Sequence, residues 1–424
     1  MKSKVLPTQP TDRAGIKLDR RAFVVGVPAV AAGLGWSNEA AAISRQDLNS
    51  SASWSTAPVS AAPAAANQIN NQTIRQQVHL SVGGDSLRVK LSNRYGTTPL
   101  LISGASVALT GSADQIAAGS ARQLLFNGRP TFNIPAFGEL YSDWISWNVP
   151  NEGDLTIDVY IASNTSSGTS PVTLHNARPA TQVLSYLGEG NQLGAGSFTA
   201  TTSRTAWYFL TGVDVSNARS PGSVVCFGDS ITDGSQSTPN TNTRYPDYLA
   251  RRLLAATASA PMGVVNLGIG GNRVLTGGTG DPALARFDRD VLSQTGAYTI
   301  IVLEGINDIS GGATADRIIE GHRQLITRAH AKRKRILGAT LTPYGAAPEA
   351  REAQRVVVND WIRNSGMYDA VIDFDLATRD PANPRVMRAE FDSGDTLHPN
   401  SLGYQAMANA VDLAQLIRPR PRLF

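Results

Sequence analysis

Beyond Pro221, five short apolar runs alternate with stretches of helical period. The runs lie at residues 223–227, 263–267, 298–303, 335–341 and 370–374, and the helical stretches near 246–259, 313–332, 349–364 and 402–418. Apolar runs of that length suit strands buried on both faces. Helices between successive strands make the connections parallel crossovers, which pack on both sides of a sheet. This half of the chain predicts a parallel, doubly wound α/β sheet. No internal repeat or heptad pattern competes with it.

The preceding half has another texture. Val78-His79-Leu80-Ser81-Val82, Leu87-Arg88-Val89-Lys90-Leu91, Ser106-Val107-Ala108-Leu109 and Leu155-Thr156-Ile157-Asp158-Val159-Tyr160 alternate apolar with polar residues. Gly83-Gly84-Asp85, Asn93-Arg94-Tyr95-Gly96 and Asn127-Gly128-Arg129-Pro130 supply turn chemistry between such runs. Many short strands with little helical period predict a β-sandwich, jelly-roll-like, over residues 68–220, with the α/β domain over 221–424. Residues 43–67, rich in Ser, Ala and Pro, read as a flexible lead-in, although Trp54 suggests that order begins inside it.

Residues 1–42 combine a basic region, a short apolar stretch from Ala22 to Gly35 and the small residues Ala40-Ala41-Ala42, the pattern of a signal peptide. The apolar stretch is too short to span a bilayer. Asp19-Arg20-Arg21-Ala22-Phe23-Val24-Val25 resembles a twin-arginine export motif, with Asp19 where Ser or Thr is usual. Export to the periplasm or beyond the cell is therefore expected, without stable membrane insertion afterwards. The sequence pI near 9.2 owes much to this segment. Beyond it remain 32 of the 38 basic and 31 of the 34 acidic residues, a near balance that gives no reason to expect nucleic acid as a partner. The single cysteine, Cys226, excludes an intrachain disulfide framework and a cysteine-cluster metal site.

Four strand ends of the second half are polar in a way that packing does not require. They are Gly228-Asp229-Ser230, Asn266 to Arg273 with its Gly270-Gly271, Glu304-Gly305-Ile306-Asn307-Asp308, and Asp395-Thr396-Leu397-His398 ahead of the last helix. Ligands of open α/β sheets bind at the carboxyl ends of strands. Taken singly, each is a turn, a loop, a cap or a surface pair. Together they supply a serine, backbone and amide donors, and an Asp/His pair at helical spacing, which nucleophilic catalysis needs. No Gly-x-Ser-x-Gly elbow occurs, which argues against the α/β-hydrolase arrangement.

These four segments resemble the blocks of the SGNH hydrolases, the GDSL esterase/lipase superfamily, over about residues 222–418. The resemblance implies a flavodoxin-like five-stranded sheet, a nucleophile at Ser230, a base at His398 and an acid at Asp395, with Asp392 the runner-up acid. It places an oxyanion hole at Ser230, Gly271 (Gly270 the next choice) and Asn307. It implies no cofactor and no metal. Asp233, Arg244 and Arg273 are candidate pocket residues. Cys226 stands where an aliphatic residue is more usual and is expected to be an inert, buried thiol. Asn70 to Gln76, Leu91-Ser92-Asn93 and Trp207 to Asp214 resemble the β-rich portion of exported two-domain bacterial SGNH proteins.

The expected function is an exported serine esterase acting through an acyl-enzyme on short-acyl esters, acetyl above all, carried by a polysaccharide or oligosaccharide. The alternatives are a broad arylesterase or lipase, and a carbohydrate-binding protein with a vestigial hydrolase domain. Of the other histidines, His322 and His330 fall in an apparent helix, His79 in a strand and His175 in a loop of the first domain, where it could border the active-site groove.

Overall fold

The protein is represented by a computed structural model that describes residues 47, 49–64, 67–165, 169–176, 182–257 and 260–417. The signal-peptide expectation, residues 1–42, lies outside the described residues. Among those described, no helix is long and apolar enough to cross a membrane.

The five apolar runs form one sheet in the order Gly263–Gly268, Ser223–Gly228, Ala297–Leu303, Arg335–Ala339, Ala370–Ile372, every neighbouring pair parallel. In chain order this is 2-1-3-4-5, the doubly wound arrangement that the alternation implies. Val224, Val225, Cys226 and Phe227 of the first strand are wholly buried. Each large apolar side chain so buried contributes roughly 1.5–3 kcal/mol. Burial pushes the Cys226 thiol up to about 12, so it stays neutral and packs as a small apolar group.

The helices follow from spacing. In Tyr245–Ala256 the buried Tyr245, Leu249 and Leu253 recur every four residues, and the Asp247 carboxylate accepts from the Arg244 backbone N–H at 2.9 Å. In Ala315–Ala331 the buried stripe is Ile318, Ile319, His322, Leu325, Ile326 and Ala329. The single helix expected near 402–418 is two, Ser401–Ala410 and Leu413–Ile417. Between them Val411 is extended, and Asp412 Oδ1 accepts the Ala414 N–H at 3.0 Å, so the second segment starts on its own cap. The short helices Ile306–Ser310 and Phe374–Thr378 escaped the sequence pattern, and so did a longer element. It comprises a turn of α-helix, Ala283–Arg286, and a π-helical turn, Phe287–Leu292, with Arg286, Phe287 and Val291 turned inward.

The first half is antiparallel throughout. Its larger sheets are a six-stranded one, in which Gln72–His79 pairs with Asp154–Ile161, and a five-stranded one, in which Gly84–Ser92 pairs with Leu210–Ser216. Leu87, Val89 and Leu91 from one and Leu155, Ile157 and Val159 from the other are fully buried in a common core, the alternation a half-buried strand requires.

The flexible lead-in is corrected by the structure. Ser50–Ser55 is a buried strand paired with Leu210–Ser216, and Val59–Ala61 pairs with Val172–Asn176. Its small residues permit close packing. Ala52 donates its N–H to the Thr295 carbonyl at 3.0 Å and accepts from Ser223 Oγ at 3.0 Å. A Cβ built on Gly263 would come within 2.0 Å of the Ala52 carbonyl oxygen. The stretch that looked like a linker is the seam between the β-rich portion and the parallel sheet.

Candidate active site

Ser230 follows directly on the first strand of the parallel sheet. The turn is tight because Gly228 has no side chain: a Cβ there would lie 2.0 Å from Thr232 Oγ1 and 2.6 Å from the Leu303 carbonyl oxygen. Asp229 caps the short helix Ser230–Asp233, its Oδ1 accepting from the Ile231 N–H at 2.9 Å. Ser230 is the helix's first residue and is 7% exposed.

The Asp395 to His398 segment reaches it from the other end of the domain. Ser230 Oγ lies 2.8 Å from His398 Nε2, and His398 Nδ1 lies 2.6 Å from Asp395 Oδ2. Asp395 Oδ1 also accepts the backbone N–H of His398 at 2.7 Å and of Leu397 at 3.0 Å. Burial alone would raise the Asp395 carboxyl, but the His398 backbone N–H and ring and the Leu397 N–H outweigh it and hold the group down to about 2. Asp395 is thus charged throughout the neutral range. Asp392, the runner-up acid, orders the loop instead, accepting from the N–H groups of Gly394 at 2.7 Å and Thr396 at 3.1 Å. Thr396 sits at φ +64°, a strained position for a β-branched residue, between the acid and the base. Tyr404, on the helix that Asn400 caps, donates to the Ser235 carbonyl at 2.6 Å and so ties this segment to the nucleophile loop.

The other two blocks meet beside the serine. The Asn272 N–H closes a turn onto the Ile269 carbonyl at 3.0 Å, with Gly271 at φ +77° on its outer bend, a backbone that glycine adopts without strain. Asn307 Nδ2 donates to the Asn272 carbonyl at 3.0 Å, which leaves its second amide hydrogen to donate elsewhere. Asp308 fastens the two blocks together, accepting from the N–H groups of Val274 at 2.7 Å and Leu275 at 3.1 Å.

The three expected pocket residues fall in two different cavities. Asp233 and Arg244 line a cavity of about 280 Å³ between the β-rich portion and the α/β domain, together with His79, Glu152, His175 and Trp207. Arg273 lines a different cavity of about 150 Å³, with Asp308 and Arg317. Each side chain has contacts of its own. Asp233 Oδ1 lies 3.1 Å from His175 Nε2, Arg244 donates to Gln182 Oε1 at 2.9 Å and packs over Gly234, and Arg273 lies against Gly311. His175 stands on the Val172–Asn176 strand, not in a loop.

Sequence reasoning also missed a layer beneath the serine. The wholly buried Arg286 donates to the Gly228 carbonyl at 2.9 Å, the Leu267 carbonyl at 2.8 Å, Asn272 Oδ1 at 2.9 Å and Glu304 Oε1 at 3.2 Å. One guanidinium therefore holds the ends of the first two strands, the turn that carries Gly271 and the end of the third strand. Asp229 and Glu304 are both fully buried, and Asp229 Oδ2 and Glu304 Oε2 have no hydrogen-bond partner among the described residues. Burial, with mutual and Asp308 repulsion, pushes Asp229 up to about 7 and Glu304 well above the usual carboxylate range. Asp229 and Glu304 each gave a signal in the sequence, an acid just after an apolar run, whereas Arg286 gave none.

Residues 226–406 match the model of the GDSL-like Lipase/Acylhydrolase family. No curated protein matches the chain. Similar solved structures include an inhibitor-bound aryl esterase of M. smegmatis, 15% identical over 46% of this chain and 99% of that one, TM-score 0.37. Another is an acetylxylan esterase of Geobacillus stearothermophilus, 22% identical over 46% of this chain and 94% of the other, TM-score 0.35. A third is a member of the lipolytic protein G-D-S-L family from Veillonella parvula DSM 2008, 19% identical over 44% and 94%, TM-score 0.33.

Proposed function

Residues 226–406 form a hydrolase domain of the GDSL-like lipase/acylhydrolase family, and from that premise we propose that the protein is an exported serine esterase working through a Ser230–His398–Asp395 triad and an acyl-enzyme. The observation that carries the reading is the unbroken chain of short contacts, 2.8 Å from Ser230 to His398 and 2.6 Å from His398 to Asp395. His398 takes the Ser230 proton as Oγ attacks the ester carbonyl, then gives it to the departing alcohol. Water, activated by the same imidazole, releases the acid. Asp395 holds Nδ1 protonated and stabilises the imidazolium. The N–H groups of Ser230 and Gly271 and the free amide hydrogen of Asn307 receive the oxyanion, each such donor contributing roughly 2.7–4 kcal/mol.

For substrate we propose short acyl groups, acetyl first, on a carbohydrate. A serine only 7% exposed suits an acyl group small enough to reach it. The pattern of residues 1–42 supports work in the periplasm or outside the cell. The test is turnover of p-nitrophenyl esters of increasing chain length, followed by acetate release from acetylated polysaccharides. Fastest turnover of the acetate ester, lost in Ser230→Ala with the fold intact, is expected. Preference for long chains would point to a lipase. Glycan binding without turnover would point to a carbohydrate-binding protein with a vestigial domain.

A further inference from the structure

The nucleophile helix is a single turn, Ser230–Asp233, too short to hold its own shape in isolation. Its first residue is Ser230 and its last is Asp233. Beside the Ser230–His398 contact and a 3.4 Å contact between the Thr232 and Tyr245 hydroxyls, three more contacts hold it. Asp229 caps the start, Asn266 Nδ2 donates to the Thr232 carbonyl at 2.7 Å, and Asp233 meets His175. The first two partners belong to the parallel sheet, whereas His175 belongs to the β-rich portion.

The His175 contact is unusual in its chemistry. Nδ1 lies 2.7 Å from the Ala57 carbonyl oxygen and Nε2 lies 3.1 Å from Asp233 Oδ1. Both ring nitrogens are therefore engaged, one by a backbone carbonyl and the other by a carboxyl group. The two side chains are only 4% and 5% exposed. A contact so enclosed has no water to replace a lost partner, so removing one side chain leaves the other's buried polar atom unpaired. The Ala57 carbonyl, from the segment between the first two strands, orients the ring.

We infer that His175 is a positioning residue for Ser230: the β-rich portion clamps the far end of the nucleophile helix through Asp233, so the hydrolase domain depends on its neighbour to aim Oγ. This rests on Ser230 being the nucleophile. It gives the β-rich portion a role in the reaction itself, separate from any binding of glycan.

The test uses the full chain and three proteins: wild type, His175→Gln and His175→Gln/Asp233→Asn. Each is measured for kcat and KM on p-nitrophenyl acetate, for the rate at which diisopropyl fluorophosphate modifies Ser230, and for Tm. The expected result is that His175→Gln lowers kcat and the modification rate together, by roughly 10- to 100-fold, the cost of a small misplacement of a reacting group. KM should move less than about twofold, since no contact to substrate is lost. The double variant restores an amide–amide hydrogen bond at the same place, and both rates should recover most of the loss. A purely architectural contact would lower Tm and leave kcat and the modification rate of the folded protein unchanged. That result, or a double variant that regains Tm without regaining rate, overturns the inference. A wild-type protein that neither turns over ester nor reacts at Ser230 overturns the nucleophile assignment and the inference with it.

Discussion

Ser230 lies between two groups of carboxylates that the fold treats in opposite ways. On the outer side Asp395, its side chain 34% exposed, keeps its charge because His398 and two backbone N–H groups surround it. On the inner side Asp229 and Glu304 are fully buried near Arg286, which Asp290 also approaches, and are driven toward their neutral forms. An exposed, charged acid sits on one side of the serine, and buried acids driven toward protonation sit on the other. The outer group can take part in proton movement, while the inner group fastens three strand ends through one guanidinium. The same residue type serves chemistry or architecture according to its solvation and its hydrogen-bond donors.

The largest effects should come from the outer side. His398→Ala is expected to lower kcat by roughly 10⁴-fold or more, and Asp395→Asn by roughly 10³- to 10⁴-fold, with the fold kept, as judged by circular dichroism and p-nitrophenyl acetate turnover. An Asp395→Asn protein with near-normal turnover would break the contrast, because its charge would then be idle. Next comes the junction of the two sides: Asn307→Ala should cost roughly 10²- to 10³-fold in kcat with little change in KM.

The inner side predicts smaller effects of another kind. Asp229, raised to about 7 against its ordinary 3.8, binds a proton in the folded chain over a range where the unfolded chain has lost it. Stability should therefore be fullest below about pH 4 as far as this group is concerned, and its contribution should fall as pH rises toward 7. Asp395 has the opposite sign: its contribution is present above about pH 4 and is lost as pH falls through about 2. Glu304→Gln removes a buried ionisable group and keeps an acceptor for Arg286. Its Tm should rise by about 2–4 °C at pH 8, and the gain should shrink at pH 5. A Tm loss at pH 8 would show that Glu304 is needed as a charged partner of Arg286.

Much of the parallel sheet was legible because strands buried on both faces are written as apolar runs. The polar residues at their carboxyl ends stand out for the same reason. The tripeptide alone was no guide. Gly84-Asp85-Ser86 repeats Gly-Asp-Ser, yet Ser86 is locked in an antiparallel ladder opposite Ser146 and Ser216. What marked Ser230 was its place at a strand end, with the other three blocks in order behind it. The elements that escaped are those whose burial depends on partners far along the chain. Ser50–Ser55 has the small, polar composition of a linker and is buried only because Leu210–Ser216 and the Gly263 edge enclose it. Arg286 and His175 look like ordinary surface residues in one dimension. Their roles arise where loops separated by tens of residues converge on them.

The proposed chemistry requires Ser230 to be an activated nucleophile. Incubating the full chain with diisopropyl fluorophosphate and mapping the adduct by mass spectrometry tests that directly. One phosphoryl group on Ser230, absent in Ser230→Ala and strongly slowed in His398→Ala, is the predicted result. An adduct at another residue, or a Ser230 reaction that proceeds undiminished without His398, would contradict it.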